Sequence, residues 1–422
     1  MKKYLENLPK EIKELIVLVR EVSDETRMPA YLVGGFPRDL ILGAKDWDLD
    51  ITVEGNGIKF AEALAKKLNS GLIKHERFGT ATLILGHRLK VDIATTRKET
   101  YPFNACLPVV SPGSLNEDLL RRDFTINSMA VSLSGERGQK LIDVFCGKED
   151  LAAGKIRILH DLSFKDDPTR ILRAIRFQQR YNFKIEPKTL RLLKEAVESG
   201  LLNKVNPHRM RDELILMFKE KNPSALLKQL YALGALSFIS DKLKPDRKTY
   251  NLFKSVNKGI FWFMRSFPLH KQFDAWLVYF AALLSPLTLA QSKKTIRKMG
   301  LSRQEEKKII SCRKINQGLI RRLKDKRIKP AQIFALLKPL SPEAIILLRS
   351  ASPDSLLRKH ITDFLKIYNC ARLCVSGDDL CSLGVLPGPK YQKILNKVLV
   401  ARLNGRVKNR QDELALIRKL LK

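Results

Sequence analysis

The sequence predicts an α+β protein: an N-terminal head on a mixed sheet of about five strands, followed by an all-α remainder. Three observations carry this. Short apolar runs with strand character alternate with helical patterns as far as about residue 145. Beyond about residue 160 strand signals nearly vanish and a 3.6-residue period dominates, as in Arg170–Arg180, Pro187–Ser199 and Ala225–Leu236. Charge divides in the same sense: residues 1–200 carry 33 basic and 28 acidic side chains, residues 201–422 carry 45 and 16.

The elements follow in order. Leu5, Leu8, Ile12, Leu15, Ile16 and Val19 lie at helical spacing within 4–24. A strand is expected at Tyr31–Val33, then Gly34-Gly35, with Pro37 in the first turn of a helix to about Leu42. Leu49–Val53 reads as a strand and 57–68 as a helix. Leu72–Lys74, Ala81–Leu85 and Lys90–Ala94 complete the five strands. Candidate breaks in the helical part fall near 241–250, near 266–270 and over the Pro-flanked stretch 338–354. There is no repeat of fixed period and no low-complexity tract.

Composition excludes several classes. The net charge is +34, yet 44% of residues are hydrophobic, so the chain is not a disordered basic tail. An excess of that size points to a polyanion such as nucleic acid, or to a basic surface kept for solubility. Met1–Lys10 lacks an apolar signal core. The longest apolar run, near Ala275–Leu284, falls well short of the roughly 20 residues of a membrane span, so no membrane partner is expected. The six cysteines (106, 146, 312, 370, 374, 381) are scattered without a Cys-x-x-Cys pair, which fits neither a disulfide framework nor a zinc site. A cytoplasmic setting follows, with most of the cysteines expected as small core residues. There is no P-loop, H-E-x-x-H or G-x-S-x-G pattern, and Gly55-Asn-Gly57 is only a fragment of a dinucleotide fingerprint.

Chemistry concentrates in Gly34-Gly35-Phe36-Pro37-Arg38-Asp39 and Asp46-Trp47-Asp48-Leu49-Asp50. Residues i and i+2 of a strand share a face, so Asp48 and Asp50 are neighbours. Two adjacent carboxylates repel, and a bound Mg²⁺ resolves that. Asp46 shares their phase but sits where the strand begins, and ranks lower. Asp92, on another expected strand, would add a third carboxylate if that strand is adjacent, and such a cluster suits metal-assisted phosphoryl transfer. A solvated strand end is the alternative. Gly34 and Gly35 allow backbone N–H groups close to phosphates, the following helix start favours anions, and Arg38 can clamp a phosphate.

A second constellation is Phe164-Lys-Asp-Asp-Pro-Thr-Arg-Ile-Leu-Arg-Ala-Ile-Arg-Phe177. Asp166 or Asp167 can cap a helix with Pro168 in its first turn. Asp167, Arg170 and Arg173 then lie three apart on one face, with Ile171, Leu172 and Ile175 available for core. An Asp acceptor beside an Arg donor matches the pairing edges of cytosine and adenine, and refuses uracil and guanine. The alternative is a helix-surface salt bridge at i, i+3.

Together these segments resemble the tRNA nucleotidyltransferase and poly(A) polymerase family, in its bacterial and eukaryotic class. The carriers are Leu32-Val-Gly-Gly-Phe-Pro-Arg-Asp39, Asp48-Leu-Asp50, Arg121-Arg-Asp-Phe-Thr-Ile-Asn127 and Asp166-Asp-Pro-Thr-Arg-Ile-Leu-Arg-Ala-Ile-Arg-Phe177, in the family's order. The resemblance implies a nucleotidyltransferase head of polymerase β type followed by helical neck, body and tail, over 1–150, 151–240, 241–350 and 351–422. It implies that Asp48 and Asp50 bind catalytic Mg²⁺, that Gly34, Gly35 and Arg38 meet the nucleotide, and that Arg122, Asp123 and Asn127 recognise ribose. Asp167 and Arg170 match the family's protein template for C and A, Arg173 and Arg176 further nucleotide contacts, and Arg209 and Glu213 its next motif. Ser376-Gly-Asp-Asp-Leu380 and Leu383-Gly-Val-Leu-Pro-Gly-Pro389 resemble the family's tail, as turns near an RNA backbone or simply as a helix connection. Pro37 and Tyr391 depart from the usual pattern.

The implied partners are tRNA, through its acceptor arm and 3′ end, with CTP and ATP as substrates; no protein partner is implied. The implied activity is template-independent addition of the CCA end, with A-only or CC-only addition, poly(A) synthesis and a non-catalytic RNA adaptor as alternatives. His75-Glu-Arg-Phe-Gly-Thr-Ala-Thr-Leu83 resembles the tRNA enzymes. The segment Arg97–Asn116, where family members carry a mobile loop, argues against CC-only addition. The basic run Arg321–Lys329 is a candidate phosphate contact or a solvated helix face.

Overall fold

The computed structural model describes residues 2–44, 48–85, 89–134, 139–268 and 273–421. The chain folds as two compact units, Met1–Phe238 and Ile239–Lys422.

The first unit begins with helices α1 (Lys2–Glu6) and α2 (Lys10–Thr26). Its sheet has seven strands rather than five, in the order β3-β4-β5-β2-β1-β8-β9. These are β1 (Ala30–Val33), β2 (Leu49–Val53), β3 (Gly71–His75), β4 (Thr80–Leu85), β5 (Leu89–Thr95), β8 (Ala130–Ser132) and β9 (Leu141–Ile142). All five expected strands form. The two additional ones are three and two residues long, too short to carry a visible alternation. Helices α3 (Gly35–Ile41) and α4 (Gly57–Leu68) follow β1 and β2. The pair β2–β5 is parallel, and every other pairing in this sheet is antiparallel.

Period-2 alternation orients the central strand. Leu49, Ile51 and Val53 are buried with Leu32, Phe60, Leu64, Val91 and Ile93 in the core beneath the sheet, which turns Asp50 to the other face. Asn56 starts α4 by accepting the Lys59 amide. A separate hairpin pairs β6 (Arg97–Thr100) with β7 (Val109–Pro112) within the segment expected as a loop. Then come α5 (Leu115–Leu120), α6 (Gly147–Ala152), α7 (Ser163–Asp166) and α8 (Thr169–Tyr181). Short strands β10 (Lys155–Ile156) and β11 (Lys184–Ile185) flank the last two of these helices and pair in parallel. In α8, Ile171, Leu172, Ala174 and Ile175 are fully buried. Three helices close the unit: α9 (Pro187–Glu198), α10 (Pro207–Phe218) and α11 (Pro223–Ala232). The last two open on Asn-Pro pairs, where the Asn caps and the Pro needs no hydrogen-bond partner.

The second unit is helical throughout its described residues, as expected beyond residue 160. Ala275–Leu283, within the longest apolar run, forms a buried helix packed on Arg247–Ser266. Two fully buried acids have internal partners, though Oε2 of Glu343 has none. Glu343 accepts the Asp274 amide at 3.0 Å and lies 3.0 Å from Lys308 Nζ. Glu413 accepts the Cys374 and Val375 amides and pairs with Arg402. The stretch 338–354 interrupts the helices at 338–341 and 352–354 and holds between them the helix Pro342–Ala351, capped by Ser341. Ser376 and Asp379 form a capping box on Gly377–Ser382. The Tyr391 hydroxyl donates to the Val385 carbonyl at 2.9 Å, pinning the connection into Pro389–Leu403. The expectation that most cysteines are core residues fails: all six are free and only Cys312 is buried, while Cys146, Cys370, Cys374 and Cys381 are exposed. Among the described residues no single helix is long and apolar enough to cross a membrane.

Gly147 gives a test of packing in the head. A Cβ there would lie 2.2 Å from the Thr125 carbonyl oxygen, with backbone on both sides of the clash. Gly147→Ala should destabilise the protein by about 1–3 kcal/mol. Gly71→Ala, with nothing within 4 Å of the new atom, should stay within about 0.5 kcal/mol of wild type in urea unfolding.

Candidate active site

The first unit holds a cleft of about 690 Å³ walled by the loop after β1, the β6–β7 hairpin, the segment 121–127, α8 and α10. Asp50 enters it from the central strand. In the sheet register Asp50 stands opposite Val33 on one side and Asp92 on the other, so β2 and β5 present two carboxylates on one face. Asp92 accepts a hydrogen bond from the Thr82 hydroxyl at 2.5 Å. It lines an adjoining groove of about 450 Å³ that shares Asp50, Arg97, Arg121 and Arg122 with the cleft. Asp48 is exposed at the head of β2. Asp46 and Trp47 lie outside the described residues.

The Asp50 carboxyl is pushed up to about 6, first by burial and then by the charges of Asp48 and Asp92, against the pull of Arg122. That strain is of the kind a divalent cation relieves. Among the described residues no three His, Cys, Asp or Glu side chains gather closely enough to enclose a metal alone. Asp48 and Asp50 nonetheless fit a hard cation that takes one or two carboxylates and completes its shell with water and substrate phosphates. Gly34 faces this point with φ +71°, and a Cβ there would meet the Asp50 carboxylate at 2.9 Å and Arg122 at 3.3 Å. Only glycine leaves that space open.

Arg38 is more enclosed than a free phosphate clamp. Nε and Nη2 donate to the Asp39 carboxylate at 2.8 and 2.7 Å, Nη1 donates to Asn127, and the guanidinium lies 4.9 Å from the Tyr181 ring centre. Three of its five N–H donors are thus engaged, leaving two for a ligand. Asp123 is buried. Burial alone would raise its carboxyl, but Arg173 and Asn127 hold it below the ordinary value.

Asp167 and Arg170 both line the cleft, but not as an i, i+3 surface salt bridge. The helix begins at Thr169, one residue past Pro168, so Asp167 precedes it and accepts the Thr169 amide and hydroxyl at 3.0 and 2.7 Å. Its other oxygen pairs with Arg209 at 2.7 Å. Arg170 is buried, donating to the Ser163 hydroxyl and the Arg121 carbonyl, each at 2.6 Å. Arg173 bridges Asp123 and Glu213, and Glu213 also holds Arg176 at 3.2 Å.

All ten residues expected at the nucleotide therefore line one cleft, together with Asp50, Arg209 and Glu213. Asp92 lies next door, and Asp48 borders neither space. Sequence reasoning missed the hairpin wall. Glu99 accepts from Arg97 at 3.1 Å, Arg121 at 3.3 Å and the Tyr101 hydroxyl at 2.9 Å. Arg97, Glu99 and Tyr101 sit at i, i+2 and i+4, a strand-face pattern available in the sequence. Nine arginines against six acids line the cleft, an electropositive lining suited to a polyphosphate.

Comparison with known proteins gives the following. The poly A polymerase head domain family matches residues 30–157. The family described as the probable RNA and SrmB-binding site of polymerase A matches residues 182–245. An A-adding tRNA nucleotidyltransferase of Geobacter sulfurreducens is 37% identical over 97% of this chain, which spans only 47% of that protein. One of Halalkalibacterium halodurans is 29% identical over 96% of this chain and 92% of its own length. Among solved structures, the Thermotoga maritima CCA-adding enzyme complexed with tRNA superposes with a TM-score of 0.78 at 33% identity, covering 100% of this chain and 98% of that one.

Asp118 tests the ordering of the arginine wall. It is fully buried and accepts from Arg121 and Arg122 at 2.8 Å each. Asp118→Ala strands the Arg122 guanidinium and leaves Arg121 with Glu99 alone, and should cost about 3–5 kcal/mol in urea unfolding. Burial opposes its ionisation, but the two arginines prevail and its carboxyl lies below the ordinary value. Its stabilisation is therefore present above the unfolded value of about 4 and lost as pH falls through the folded one. The gap between wild type and variant should narrow on acidification and stay constant between pH 6 and 8.

Proposed function

Because the chain belongs to the tRNA nucleotidyltransferase and poly(A) polymerase family, we propose that it is an enzyme adding CMP and AMP to the 3′ end of tRNA, from CTP and ATP, without a nucleic-acid template. One observation carries this reading: the base-selecting candidates Asp167 and Arg170 and the carboxylate Asp50 line the same cleft. A second reading, A-only addition, is favoured by the names of the Geobacter and Halalkalibacterium relatives.

In the mechanism, the RNA 3′-hydroxyl oxygen bonds to the α-phosphorus of the nucleotide and pyrophosphate leaves. Asp48 and Asp50 would hold a divalent cation, Mg²⁺, which when bound offsets triphosphate charge and lowers the pKa of the attacking hydroxyl. Gly34 keeps the approach to Asp50 open, and Arg122 and the free donors of Arg38 meet phosphate oxygens. Asp92, steadied by Thr82, is positioned to accept the hydroxyl proton. Arg173 and Asp123 orient the base-reading end, where Asp167 accepts the amino group shared by cytosine and adenine and Arg170 donates to the adjacent ring nitrogen.

The proposed division is a head over 1–150, a neck over 151–240, a body over 241–350 and a tRNA-binding tail over 351–422. The basic excess of residues 201–422 supports a backbone grip on the acceptor arm whose affinity falls steeply with salt. Six free thiols support a cytoplasmic setting.

Transcripts of one tRNA ending before CCA, after one C and after CC, each incubated with single NTPs and Mg²⁺, decide the activity. Extension of all three expresses CCA addition, extension of the CC end alone by ATP expresses A-only addition, and long A tails express poly(A) synthesis. No extension with RNA still bound overturns the enzyme reading in favour of an adaptor. Asp50→Ala should abolish incorporation while RNA binding persists. Arg170→Ala should relax the exclusion of UTP and GTP, and unchanged nucleotide choice would overturn the template role.

A further inference from the structure

Beside the cleft lies a second groove of about 620 Å³, lined by Arg77, Phe78, Leu107, Pro108, Val110 and Arg97, among others. We propose that this groove receives the unpaired 3′-terminal nucleotides of the RNA acceptor, with Phe78 as the platform on which a base stacks. The inference rests on the nucleotidyl-transfer reading and adds to it the position of the second substrate.

Three observations converge. The first is continuity. Arg97 lines this groove, the cleft and the Asp92 groove alike, and Leu107 and Pro108 separate groove from cleft. A strand lying in the groove therefore reaches the Asp50–Asp92 pair from the side away from the arginine-rich cleft. Attack on phosphorus opposite its leaving group requires that arrangement.

The second is the character of the walls. Phe78 is 62% exposed, Leu107 72% and Val110 46%, an apolar surface that suits bases and repels a triphosphate. Stacking on an aromatic face is tolerant of base identity, as an acceptor whose last base changes with each addition requires. The turn that carries Phe78, Glu76–Phe78, closes on Gly79 at φ +59°, and the Gly79 carbonyl accepts the Thr95 amide at 3.1 Å. The platform is thus anchored to β5, the strand that carries Asp92.

The third is unsatisfied charge. The Arg77 guanidinium lies 5.8 Å from the Phe78 ring centre, and its hydrogen-bonding edge is available to a phosphate flanking the stacked base. At the junction of the three spaces the Nε–H of Arg97 is buried without an acceptor.

The test uses the full chain and an acceptor tRNA carrying 2-aminopurine at its last position, without added nucleotide. Wild type should quench the fluorophore on binding. Phe78→Ala should abolish the quench, lower kcat/KM for the RNA roughly tenfold and leave KM for ATP and CTP unchanged, while Phe78→Trp restores both quench and rate. A Phe78→Ala variant that quenches like wild type, or that raises the nucleotide KM in step with the RNA KM, overturns the assignment. Because the quench is read without turnover, a wild type that quenches yet extends nothing would fail the transfer reading while upholding the groove as an RNA 3′-end site.

Discussion

The buried carboxylate of Asp123 accepts the Asn127 amide at 2.8 Å on one oxygen and two donors of Arg173, each at 2.7 Å, on the other. Through it the two halves of the cleft become one object. On the sheet side, Asn127 accepts from Arg38, which is bidentate to Asp39 and lies against Tyr181. On the helical side, Arg173 passes to Glu213, and Glu213 to Arg176. A buried charge with fewer partners would be costly. Here every oxygen of the acid is used, so burial produces a fixed geometry between the strand that carries Asp50 and the helix that carries Arg170.

That arrangement separates positioning from contact. Many of the arginines that line the cleft are themselves held by acids or carbonyls: Arg121 and Arg122 by Asp118, Arg170 by Ser163 and a main-chain oxygen, Arg173 and Arg176 by Glu213. Each has N–H donors beyond those these pairings engage. A guanidinium with part of its fork engaged has lost most of its rotamer freedom before any ligand arrives. The acids of this cleft therefore do more than balance charge.

Much of this was legible in the sequence, and the reasons it was legible are local. The strand Leu49–Val53 reads by alternation because its odd residues fill a core and Asp50 does not. The helix 57–68 reads because Asn56 and an apolar stripe bound it. The site residues came from short contiguous segments, whose internal spacing survives any error in the overall topology. What escaped depends on distance. β8 is a strand only because β1 offers it an edge, and β9 because β8 offers the next. Asp167 precedes the helix and accepts the Thr169 amide, as its capping role requires, but its tie to Arg209, 42 residues later, is set by the fold. Four of the six thiols stand on the surface because small apolar volume does not by itself decide burial. The hairpin wall was hidden because its strands, Arg97–Thr100 and Val109–Pro112, pair only with each other and alternate weakly.

The parallel pairing of β2 with β5 has a bearing on how the molecule assembles. β3, β4 and β5 form a meander of neighbouring antiparallel strands, which closes through short loops and early in time. The parallel junction cannot close that way, since α4 and two strands intervene between Asp50 and Asp92. The two carboxylates therefore meet only when the meander docks onto the central strand, in a single register. A head that has collapsed without docking keeps Asp50 on its strand but leaves Asp92 apart from it. The meeting of Asp50 with Asp92 and the completion of the sheet's centre are therefore the same event.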